Sequence, residues 1–86
     1  MQDNIQGAQI RAARMFLDWS RRDLAEHSGV SVETIKNFES GVFNPRNDTL
    51  TKLIDVFTKQ GLTLSEEGVH RTPLGYVPNP VLDGTK

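Results

Sequence analysis

No cysteine occurs in the 86 residues, so disulfide staples, thiolate metal ligands and sulfur nucleophiles are all excluded. No apolar run approaches membrane-spanning length, and the N-terminus shows no basic-then-apolar signal region. A soluble cytoplasmic protein is the expectation. Excess charge of one sign is missing too, with ten Lys and Arg against eleven Asp and Glu. That balance excludes an indiscriminate nucleic-acid sponge, yet the distribution is uneven. Arg11, Arg14, Arg21, Arg22, Lys36 and Arg46 crowd the first half, whereas Glu66, Glu67 and Asp83 lie in the last third. A near-neutral chain can therefore still carry a basic face. Its length allows one small domain whose core comes from packed helices, helped if need be by a second copy.

Four helical segments can be read along the chain. Ile10, Ala13 and Leu17 recur at three- and four-residue steps within a first helix over 5–17. Asp18 suits a left-handed turn, and Ser20 with Asp23 makes the start signal of a second helix, "RRDLAEHS". Gly29 stops it, because glycine takes positive φ at little cost. Ser31 caps a third helix over 31–40, which ends at Gly41. After the loop "VFNPRND", Asn47 or Asp48 is the expected cap of a fourth helix. It buries Leu50, Leu53, Ile54 and Phe57 and closes at Gly61. "LTLS" then alternates like a strand, and "VHRT" can return beside it. "PLGYVPNPVLDGTK", with three prolines, reads as an extended tail.

The stretch "SGVSVETIKNFESG", residues 28–41, holds the functional signal. Leu24, Ala25, Val30, Ile35 and Phe38 can point inward together only if the second and third helices cross steeply. That is a helix-turn-helix arrangement, whose second helix offers its outer face to a DNA major groove. Other chemistry is poorly supported. His27 and His70 have no ligand-spaced acids around them, so no metal or cofactor is expected. The serines near His27 lack an oxyanion site, and Ser20 and Ser31 are explained as caps, so the chain is read as a non-enzyme. Trp19 is read as core.

"RAARMFLDWSRRDLAEHSGVSVETIKNFESGVFNPRNDTLTKLI" resembles the Cro/CI-type, or XRE, family of helix-turn-helix regulators. The resemblance rests on Arg14, Ser20, Leu24-Ala25, Ser28-Gly29-Val30-Ser31, Thr34-Ile35, Glu39-x-Gly41, Pro45 and Thr49-Leu50, and spans about residues 8 to 60. It implies a mainly α, four- to five-helix, lambda-repressor-like domain over 1–61. A short β segment and tail over 62–86 follow, expected to dimerise through Leu62, Leu64 and Val69. A chain truncated after Gly61 is then expected to stay folded as a monomer.

The resemblance also implies site residues. Arg14 and Glu39 would form an ion pair tying the first helix to the third. The face formed by Val32, Glu33, Lys36 and Asn37 is, taken alone, an ordinary polar helix surface. With the resemblance it becomes the base-reading face for an operator in double-stranded DNA. Arg21, Arg22, Ser31, Thr34, Asn44, Arg46 and Asn47 are then the phosphate-binding set. Arg21 stands where the family commonly has glutamine, which lengthens the reach of that contact. The implied function is a repressor acting as a homodimer. The competing reading is an antitoxin-like protein that binds DNA and neutralises a partner protein through its tail.

Overall fold

The computed structural model describes residues 5–42 and 44–72. Among them lie four helices, α1 (Gly7–Phe16), α2 (Arg21–Ser28), α3 (Val32–Glu39) and α4 (Asn47–Lys59). A hairpin of β1 (Leu62–Ser65) and β2 (Gly68–Arg71) follows. Its strands pair antiparallel, from Leu62 opposite Arg71 to Ser65 opposite Gly68. No helix of the described residues is long and apolar enough to cross a membrane. The tail from Pro73 onward, and the partner binding expected of it, lie outside the described residues.

Local chemistry sets most boundaries. Asp18 takes φ 60° where α1 ends, and Gly29 and Gly41 take φ 78° and 81° after α2 and α3. The Ser20 hydroxyl accepts from Asp23 N–H at 3.0 Å, while Ser20 N–H donates to the Asp23 carboxylate at 2.8 Å. These Ser20 groups hold the Asp23 carboxyl below its usual value, the backbone N–H foremost. A depressed carboxyl stabilises the fold above its unfolded value, and that help is lost as pH falls through the lower one. Ser31 caps α3, accepting from Thr34 N–H at 3.1 Å.

The start of α4 differs from expectation. Neither Asn47 nor Asp48 caps it: the helix begins at Asn47, with Arg46 in the extended cap position and no side-chain cap bond. Asp48 instead accepts from the adjacent Thr49 N–H at 2.8 Å. The helix ladder opens at the Arg46 carbonyl, which accepts from Leu50 N–H at 2.9 Å, ahead of both expected caps.

The core joins all the elements. Ile10 and Ala13 of α1, Leu24 of α2, Val30 of the turn, and Ile35 and Phe38 of α3 are buried together with Leu50, Leu53 and Phe57 of α4. Trp19 is half-buried against this cluster, stacked on the exposed His27 ring at 4.2 Å between centroids. Gly7 is buried where α1 meets the end of α3, and a Cβ there would overlap the Phe38 carbonyl.

The hairpin belongs to the same core, which corrects two expectations. Leu62 is fully buried and cannot serve as a dimer contact without leaving the core. Leu64 and Val69 are half-buried and pack against the same cluster. The Gln9 side-chain amide also donates to the Ser65 carbonyl, fastening α1 to the hairpin. Cutting after Gly61 would therefore strip a core leucine, and a stable truncated monomer is no longer expected.

Candidate nucleic-acid interface

The exposed side of α3 follows from its sequence pattern. Ile35 and Phe38 face the core, so the 3.6-residue period turns Val32, Glu33, Lys36 and Asn37 to the opposite side. Val32, Glu33 and Lys36 are exposed and Asn37 is half-buried. Val32 keeps 42% of its surface in solvent. Together the four offer a carboxylate acceptor, an ammonium, an amide and a methyl-bearing surface.

The network holding α3 in place lies at its C-terminal end. Glu39 accepts from Arg14 Nε at 2.9 Å and Arg14 Nη2 at 3.0 Å, a two-pronged contact between α1 and α3. Arg14 Nη1 donates to the Trp19 carbonyl at 2.8 Å, ahead of α2. The Arg14 and Glu39 side chains are 10% and 1% exposed. Such a pair fixes orientation more than it adds net stability, since desolvation offsets much of the attraction. The pairing implied by the resemblance is therefore present in the geometry.

A third member was not foreseen. Arg21, at the first position of α2, donates through Nε to Glu39 at 3.2 Å. Its side chain is 41% exposed while the carboxylate it touches is buried. One acid thus gathers arginines from α1 and α2 onto the end of α3. No spacing rule could reveal this, because the contact exists only after α2 and α3 have crossed.

The remaining candidate phosphate ligands lie at helix ends and in the loop. Arg22 is exposed beside Arg21. The Ser31 hydroxyl donates to the Thr34 hydroxyl at 2.9 Å, so both act at the start of α3 as a bonded pair. Asn44 and Asn47 line a cleft that also touches Phe38, which places the start of α4 beside the last turns of α3. Arg46 extends into solvent, its Nε 3.8 Å from Asp48, an exposed pair that constrains it little.

Comparison with known sequences agrees with this architecture. A comparison with curated proteins returns no match. A model of the helix-turn-helix family, by contrast, matches residues 10–62, more than half of the chain and all four helices but for the first turn of α1. That match supports a DNA-binding regulatory function. With α2 and α3 crossed around Gly29 and locked through Glu39, the chain belongs to the helix-turn-helix family, of the Cro/CI type.

Proposed function

We propose that the protein is a sequence-specific transcriptional repressor that sets α3 into the DNA major groove. The observation that carries this reading is the outer face of α3, where the exposed Val32, Glu33 and Lys36 and the half-buried Asn37 present groups able to read base edges. Glu33 can accept from a cytosine amino group, Asn37 can pair with an adenine edge, and Val32 can meet a thymine methyl. Lys36 serves a guanine or a phosphate. Arg21, Arg22, Ser31, Thr34, Asn44, Arg46 and Asn47 hold the backbone and set the register.

Alanine at Glu33 or Asn37 is expected to cost about 1–3 kcal/mol on the cognate duplex and little on unrelated DNA. Fluorescence anisotropy on both duplexes checks this. Equal losses on the two would show that these side chains do not read sequence.

One α3 reads only a few base pairs, too few to select one site among many competitors. The operator is therefore read as a palindrome, with half-sites about 34 Å apart and a homodimer across the two-fold axis. With Leu62 committed to the core, the contact falls to the half-buried cross-strand pair Leu64 and Val69. Sedimentation of the full chain with its operator duplex is expected to give two 9.6 kDa protomers per duplex. One protomer bound at saturation would remove the two-fold arrangement.

A further inference from the structure

We propose that Arg21 is a preset phosphate clamp, aimed by Glu39 so that one DNA backbone contact depends on the carboxylate that locks the fold. The inference rests on the DNA-binding reading above and adds how that contact is built.

Glu39 receives three hydrogen bonds, two from Arg14 and one from Arg21. Two guanidinium groups on one carboxylate leave a net positive charge on the cluster. Arg14 cannot present that charge, because its Nε and both terminal nitrogens are already bonded within the fold. The surplus therefore appears on Arg21, the exposed member.

Arg21 is held by Nε alone, and its terminal amino groups have no hydrogen-bond partner among the described residues. A guanidinium has five N–H donors, and gripping it by Nε leaves the edge between its two terminal nitrogens open. That edge matches two oxygens of a phosphate. Because Glu39 already restrains the long side chain, less freedom is lost when the phosphate arrives.

The groups around it favour the side chain over the helix end as the ligand. At the start of α2, the Asp23 N–H is taken by the Ser20 hydroxyl, and the Asp23 carboxylate sits in the first turn. A phosphate approaching that N-terminus along its axis would meet a like charge. Arg21 offers a cation to one side of it. Lysine could supply the charge but has no Nε–H fork for Glu39 to hold, and glutamine could supply a donor but no charge.

The test uses a duplex selected from a random pool by the full-length protein, carrying a neutral methylphosphonate at one backbone position at a time. Among the positions whose neutralisation weakens wild-type binding, the one facing Arg21 is expected to cost about tenfold, the scale of a lost charge-assisted hydrogen bond. With Arg21→Ala the same position should cost nothing further, and the slope of log Kd against log salt should fall by about 1. Arg21→Lys should keep most of that slope yet bind several-fold more weakly. Thermal unfolding of each variant confirms that it is folded. A methylphosphonate profile unchanged by Arg21→Ala would overturn the clamp while leaving DNA binding intact. An Arg21→Lys protein as tight as wild type would overturn the role of Glu39 in aiming it. Failure of the wild-type protein to enrich any duplex would remove the DNA-binding reading itself.

Discussion

Alanine at Glu39 is expected to destabilise the protein by about 3–5 kcal/mol, the cost of stranding a buried charge by removing its partner. The carboxylate is 1% exposed and is the common acceptor for Arg14 and Arg21. Without it, the largely buried Arg14 keeps only the Trp19 carbonyl. Arg21 can swing into solvent, so most of the penalty belongs to Arg14. Replacing Arg14 and Glu39 together by apolar residues of similar volume should cost less than Glu39→Ala alone, because no unpaired charge then remains in the core. Urea denaturation of the single and double variants supplies the comparison. Additive, near-zero effects would mean that the two side chains are merely solvated. For a domain of this size, stability of about 5–15 kcal/mol leaves little margin for such a loss.

Alanine at Gly7 is expected to destabilise by about 1–3 kcal/mol or more, against the ordinary helix preference. On an exposed helix position the same change would stabilise by about 1 kcal/mol, so the sign of the effect is the test. A Cβ at Gly7 would overlap the Phe38 carbonyl oxygen and lie 2.6 Å from its carbon and 2.9 Å from Glu39 Cα. All three are backbone atoms, so relief requires moving α1 away from α3. That movement would also pull on the Arg14–Glu39 contact, which spans the same two helices. Thermal unfolding is expected to show a lowered midpoint. A raised midpoint would mean that α1 has room to shift at no cost.

Gly7 also illustrates why part of the fold is hard to read from the chain. A lone glycine near a helix start has no sequence neighbour that betrays a close approach, because the Phe38 carbonyl lies 31 residues away. Local features are legible by comparison. Ser20 with Asp23, Ser31, Asp18 and Gly29 act within a few residues of themselves, and each is found in its expected local role. The Arg14–Glu39 pair was accessible only through family resemblance. Arg21 shows the limit of that route, since it replaces the usual glutamine and its bond to Glu39 belongs to this chain's own geometry. Leu62 was misplaced for a related reason. Alternation in "LTLS" reveals one apolar face, but whether that face meets α4 or another copy depends on where the hairpin folds back. The start of α4 is harder to place for a simpler reason: Asn47 and Asp48 are both plausible caps by residue type, yet the helix opens at Arg46 with no side-chain cap bond.

The proposed function depends above all on sequence readout by the outer face of α3. Selection from a random duplex pool, with the full-length protein and with a variant carrying alanine at Glu33, Lys36 and Asn37, tests it most directly. Paired, related half-sites enriched by the wild-type protein, and no enrichment by the triple variant, are the expected result. The same motif recovered by both proteins, or none recovered by the wild type, would contradict it.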